Sequence, residues 1–333
     1  MTGVFSEGRR RGPGRPGALA RREARAGLAM ISPTLIVVLV MVIVPVLWTL
    51  MLAFQDVRLI NLRQTGVFGD YTLDNLTYVL TSPGFVSSLT STLIYTVGGT
   101  VGSIALGLIA ALVVRHPFRG RAVVRGAMLL PYISPVVAAT FVWEVMLSPQ
   151  FGITNQIGTR LLGWRHAVPF LSEQTGEVSV FGAHVSVPTA MLTVIAFEAW
   201  RYFPFSFLFI LARMQAIPGE LEEAAKVDGA APSQRFRHII LPQLSGVIAV
   251  LAVLRFIWTF NKFDDVYLLT GGGAGTQVAS VRVYELLTAQ ADVGAAAAQA
   301  MVLAVVLMVC LLLYFALLGR RGRTDADGKG ATA

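Results

Sequence analysis

IPGELEEAAKVDGAAPSQRFRHIILPQL, from Ile217 to Leu244, is a polar insert with its own helix signals in a chain that is otherwise mostly apolar. Pro218 suits the first position of a helix, and Glu220, Glu222 and Glu223 crowd the first turn, where carboxylates meet the positive end of the helix dipole. Lys226 in the last turn and then Gly229 mark its end, because glycine enters the left-handed conformation beyond a helix C-terminus without a steric penalty. Pro232 opens a second helix, with Phe236, Ile239 and Ile240 at apolar helical spacing and Arg235 and Arg237 between them. Leu241-Pro242 then hands over to the next hydrophobic run. The stretch predicts helix, glycine hinge, helix.

The surroundings of this insert are membrane helix. Of 333 residues, 55% are hydrophobic and 14% charged, and the mean hydropathy is +0.66. A soluble domain carries roughly one-quarter charged residues. Six stretches approach the ~20 apolar residues a spanning helix needs: Leu28 to Phe54, Ser87 to Val114, Val123 to Leu147, Pro188 to Arg213, Leu241 to Phe263 and Ala295 to Leu318. In the second of them Gly99, Ser103, Gly107 and Ala111 recur every four residues on one face, a small-residue stripe suited to close helix contact.

Positive charge sets the orientation, since Lys and Arg collect on the cytoplasmic side. Arg9, Arg10, Arg11, Arg15, Arg21, Arg22 and Arg25 precede the first span, and Arg115, Arg119, Arg121 and Arg125 cluster around the second-to-third loop. Arg213, Lys226, Arg235 and Arg237 of the insert, and Arg320, Arg321 and Arg323 after the last span, fall on the same side if six helices alternate. Both termini are therefore expected to be cytoplasmic. The net charge of +8 reflects topology rather than nucleic-acid binding. The run Leu28 to Phe54 is too long for a signal-peptide core and no small-residue cleavage site follows it, so it reads as a retained first helix. Residues 1–27 read as a disordered basic cytosolic tail placed to meet anionic lipid, residues 28–319 as the six-helix domain with a cytosolic loop at 214–242, and residues 320–333 as a second tail.

Nothing in the sequence builds an active site. The single cysteine, Cys310, excludes a disulfide framework. The four histidines, His116, His166, His184 and His238, lack metal-ligand spacing, and no phosphate-binding or dinucleotide loop occurs. Charges inside spans are costly and face protein or water. Glu198 and Arg201, three residues apart in the fourth span, and Arg255 in the fifth either line a translocation path or form internal ion pairs, with one or both arginines meeting Glu198. Trp200, Asn261 and Asp264 join them as candidates for the path. Asp264 and Asp265 either touch solute or an external partner, or are solvated loop charges.

Glu223, Ala224, Ala225, Gly229, Phe236, Leu241 and Pro242, with Asp228-Gly229-Ala230 also agreeing, make the insert resemble the EAA coupling loop of the membrane-spanning subunits of binding-protein-dependent ABC importers. Weaker matches resemble the carbohydrate-uptake branch: Pro33 and Pro45, Leu73 to Leu76, Phe151 to Asn155, Trp200 with Phe203-Pro204-Phe205, and Thr270 to Gly273. Ala274 stands where that family usually has a proline. The resemblance implies an all-α membrane protein with the six-helix type I importer permease (MetI-like) fold. It implies that the loop, through Leu221, Glu223, Ala224, Ala225, Asp228, Gly229, Phe236, Leu241 and Pro242, couples to two cytosolic ATPase subunits. It further implies a second permease subunit that is a different chain, an extracytoplasmic solute-binding protein, and ATP and Mg on the ATPases, with no cofactor or metal on this chain. Monosaccharide, oligosaccharide, polyol and glycerol-phosphate all remain open as solute. An autonomous secondary transporter or channel is the alternative of a different class.

Overall fold

The computed structural model describes residues 18–64, 66, 69–180 and 183–330. Positions 1–17 and 331–333, parts of the two expected tails, lie outside the described residues. Among the described residues five helices are long and apolar enough to cross a membrane, and a helix pair bent by 98°, taken as one broken span, makes the sixth.

The first span joins α1 (Ala18–Val38) through a π turn at Leu39–Ile43 to α2 (Val44–Leu52). Its helix begins at Ala18, because residues 18–27 are mostly Ala, Arg, Glu and Leu, good helix formers, while the part apolar enough to cross runs from Ala26 to Leu52, close to the expected start at Leu28. After α3 (Asp74–Thr81) comes the second span, α4 (Pro83–Val114). The third, expected as one helix from Val123 to Leu147, is instead α5 (Arg121–Ile133) and α6 (Val136–Leu147). Ser134 between them is extended, at φ −62° and ψ 140°, because the ring of Pro135 disfavours the helical conformation in the residue before it.

Beyond α6 lie α7 (Ile153–Leu161) and an antiparallel hairpin, β1 (Gly176–Val180) with β2 (Ala183–Val187), which pairs Val178 with Val185. This two-stranded hairpin is a small addition to an otherwise helical fold. The fourth span is α8 (Thr189–Gln215), followed by α9 (Gly219–Val227) and α10 (Pro232–Arg235). A π turn at Phe236–Ile240 carries α10 into α11 (Leu241–Phe260), so that Pro232 to Phe260 forms one spanning helix. Last come α12 (Asp264–Thr270), α13 (Ala279–Thr288) and α14 (Val293–Gly330), whose backbone stays helical past the expected end at Leu318.

α4, α8 and α11 form the centre. The small-residue stripe of α4 is buried and lets α8 approach closely. A Cβ on Gly107 would lie 2.6 Å from the Ser206 Cβ and 2.8 Å from the Phe207 backbone nitrogen, and one on Gly99 would lie 2.6 Å from the Glu198 Cγ. Ala111, Phe207, Ile210, Leu244 and Leu251 pack one end of this core, and Tyr95, Val194, Phe197, Val266 and Val281 the other. The first and last spans are almost wholly exposed, as helices facing lipid are.

Candidate functional site

Two arrangements carry chemistry. The first is the loop of residues 214–242. Gly229 has φ +78°, and its N–H donates to the Lys226 carbonyl at 3.1 Å while the Ala230 N–H donates to the Ala225 carbonyl at 2.9 Å. These two bonds close α9 with a Schellman motif, the geometry in which a left-handed residue is required. The second helix starts at Pro232 as the sequence predicts, and the Gln234 Oε1 accepts from the Ala231 N–H at 2.7 Å. α9 starts one residue later than expected, with Pro218 as its N-cap. None of its residues is buried: Leu221, Glu223, Ala224 and Asp228 are exposed and Ala225 is half-buried. Phe236 and Leu241 are joined by the π turn, since the Leu241 N–H donates to the Phe236 carbonyl. Pro242 accounts for it. A proline cannot donate to the carbonyl four residues back and crowds it, and a widened turn relieves both.

The second arrangement is a buried ion cluster where α4, α8 and α11 meet. Glu198, fully buried, pairs with Arg255, which is 2% exposed. The same carboxylate accepts from the Tyr95 hydroxyl at 2.9 Å and from Thr259 Oγ1 at 2.9 Å, and Arg255 Nε donates to Ser103 Oγ at 3.3 Å. Arg201 does not meet Glu198, contrary to their helical spacing. Its Nη2 instead donates at 3.0 Å to the Ser134 carbonyl, which the break in the third span sets free, and its Nε lies 3.9 Å from Asp265. Irregular backbone at membrane depth persists where protein groups satisfy it.

Tyr202, next to Arg201, is the hub that the sequence did not single out. Its hydroxyl accepts from Lys262 and, at 3.3 Å, from Arg201, and its ring lies 4.4 Å from the Arg255 guanidinium carbon and 4.3 Å from the Lys262 ammonium. Asp265, read as a contact for solute or an external partner or as a solvated loop charge, is instead fully buried in α12, beyond the end of the fifth span, with the Lys262 ammonium at 3.8 Å. Burial pushes its carboxyl up to about 7, with the Glu198 charge adding to the rise and Lys262 and Arg201 opposing it.

Three further candidates lie apart from this cluster. Trp200 packs against Trp143 at 5.5 Å and Phe197 at 6.0 Å, joining α8 to α6. Exposed Asn261 donates to the Ile257 carbonyl at 2.9 Å, and exposed Asp264 sits in the first turn of α12. Sequence reasoning also missed a row of rings beside Tyr202: Tyr132 on α5 at 6.1 Å, then Phe205, and Trp258 on α11 at 5.1 Å from Phe205. Tyr132 and Trp258 are 42% and 47% exposed, so the row opens outward from the cluster. The three-residue spacing of Tyr202 and Phe205 was the available signal. Ala274, at the position where the resembled family has proline, has φ +50°, a conformation closed to proline.

Residues 103–324 match the protein family described as "Binding-protein-dependent transport system inner membrane component". The chain is 33% identical over 294 residues, 88% of its length and 94% of the relative's, to the inner membrane ABC transporter permease protein YcjO of Escherichia coli (strain K12). It is 34% identical over 264 residues, 79% of its length and 83% of the relative's, to the trehalose/maltose transport system permease protein MalF of Thermococcus litoralis. Its structure is similar, with a TM-score of 0.71, to a chain of a bacterial alginate ABC transporter solved with an alginate pentasaccharide-bound periplasmic protein. That match has 23% sequence identity and covers 88% of this chain and 93% of the other.

Proposed function

The chain belongs to the inner-membrane components of binding-protein-dependent transport systems, a multi-pass permease of the cytoplasmic membrane, and from that premise we propose that it forms one half of the path of an ATP-driven importer for a sugar or related solute. The observation that carries the proposal is the hinged loop. α9 is closed by a left-handed glycine, exposes Leu221, Glu223, Ala224 and Asp228, and is followed by a helix continuous with the fifth span. A rigid lever ending in an exposed helix is what a separate motor subunit needs. Two ATPase subunits, carrying ATP and Mg, would grip α9 from the cytosol. Their closure would swing the attached spans so that the path opens to the other side, as in alternating access.

A second permease, a different chain, would supply the other wall, and an extracytoplasmic binding protein would deliver the solute. The wall on this chain is the row of exposed Tyr132, half-buried Phe205 and exposed Trp258, with Tyr202 and Lys262 at its edge. Flat aromatic faces with few polar groups suit the alternating apolar and hydroxyl surfaces of a sugar. The trehalose/maltose relative and the alginate transporter support the same solute class.

The experiment is purification of the tagged chain with its complex from native membranes. A nucleotide-binding subunit and a second permease should be retained, and solute-loaded binding protein should raise ATP hydrolysis. Calorimetry on that binding protein names the solute: a sugar is expected, and glycerol-phosphate or a polyol would move the solute class. Uptake by this chain alone, without ATP, would make it a secondary carrier and end the importer reading.

A further inference from the structure

α9 is poorly anchored except at one point. None of its residues is buried, and a cavity of about 340 Å³, lined by Arg115, His116, Met214, Glu222, Lys226 and Ile240, separates it from the ends of α4 and α8. Across that gap the Arg115 guanidinium meets the Glu222 carboxylate, their side chains 18% and 19% exposed. A pair so largely shielded from water keeps more of its attraction than a fully solvated one.

Arg115 is itself held. From the first residue of α5, Arg121 Nε donates to the Val114 carbonyl at 2.7 Å and its Nη2 to the Arg115 carbonyl at 2.9 Å. These bonds cover carbonyls that the end of α4 would otherwise leave open. The two adjacent glutamates differ: Glu223 is exposed at the edge of the same cavity, whereas Glu222 is half-buried and paired with Arg115 at the end of α4.

We propose that Arg115 is a positioning residue for coupling: through Glu222 it fixes α9 to the junction of the second and third spans, so that displacement of α9 moves both. This rests on the reading of α9 as the helix gripped by the ATPase. The test uses the full complex in proteoliposomes with solute-loaded binding protein and the variants Arg115→Gln, Glu222→Gln, Arg115→Lys and the exchange Arg115→Glu/Glu222→Arg. Four quantities are measured: membrane abundance, retained ATPase, basal hydrolysis and stimulated hydrolysis.

Each neutral variant should keep its ATPase and basal hydrolysis but lose roughly fivefold or more of the stimulation, the lower range of common coupling energies. Arg115→Lys and the exchange should recover most of it, which a purely structural role at either site would not produce. Stimulation near wild type in the neutral variants, or an exchange no better than they are, overturns the proposal. So does loss of the ATPase from Arg115→Gln, which would place Arg115 in the docking surface. Leu221→Asp separates the two readings: if it retains the ATPase, the docking role of α9 fails, whatever Arg115 does.

Discussion

Glu198 shows what a single buried charge contributes and how much of it the sequence conceals. Removing one partner of a buried ion pair leaves the other uncompensated, at a cost of about 3–5 kcal/mol. Glu198→Gln strands Arg255 at 2% exposure among Tyr95, Ser103 and Thr259. The variant should therefore yield markedly less folded protein and unfold at lower temperature in detergent, read by size-exclusion and thermal melts. Arg201→Gln should cost less, because its nearest carboxylate is 3.9 Å away and its firm bond is to a backbone carbonyl. Wild-type stability in Glu198→Gln together with altered solute preference would assign the pair to the path instead. That Glu198 and Arg255 are unusual was legible from their place inside apolar runs. That one or both of Arg201 and Arg255 meet Glu198 was legible too; which of them does was not, because Arg201 shares a helical face with Glu198 while the partner supplied by packing is 57 residues away.

At the scale of elements, three prolines inside apolar runs behave in two ways. Pro45 and Pro242 each follow a residue that stays helical, Val44 and Leu241, and a π turn absorbs the missing donor. Before Pro135, Ser134 turns extended and the span bends by 98°. The prolines were visible in the sequence, but the outcome depends on whether a neighbour satisfies the carbonyl set free, and Arg201 does so only at Ser134. Glycine was more readable. Gly229 follows a short helix with acidic residues at its start and Lys226 at its end, and that local grammar needs no tertiary partner. A Cβ at Gly229 would meet nothing within 4 Å, so Gly229→Val is penalised by backbone conformation alone, roughly 1–2 kcal/mol. The spans do not depend on it. The variant should reach the membrane in near-normal amount while solute uptake and binding-protein-stimulated hydrolysis both fall sharply, and Gly229→Asn, which tolerates the left-handed region, should fall less. Both signals near wild type in a well-folded complex would remove the hinge from the coupling mechanism.

For the whole molecule, the arginine asymmetry and the fold meet in one statement about sidedness. Arg115, Arg121 and Arg125 lie at the α4 to α5 junction, and Arg115 reaches Glu222 on α9, so the basic loop and the hinged loop share one face. The β1 to β2 hairpin leads into the start of α8, the end of that span opposite to the one from which the hinged loop departs. Six spans were countable from hydropathy because each must hide its backbone from lipid within its own helix. The way the third one bends, and which helices face one another, depended on contacts that no local pattern records. The orientation is open to direct measurement. With Cys310 replaced, a single cysteine at exposed Ser233 beside the hinge should resist an impermeant thiol reagent in intact cells and react once the membrane is opened. On the opposite face the probe belongs at exposed Thr175, because Thr276 in the glycine turn is buried and would stay silent on either side. Thr175→Cys should react in intact cells. Labelling of Ser233→Cys from outside, with Thr175→Cys protected, would invert the molecule, place α9 where no cytosolic ATPase can reach it, and undo the coupling mechanism with it.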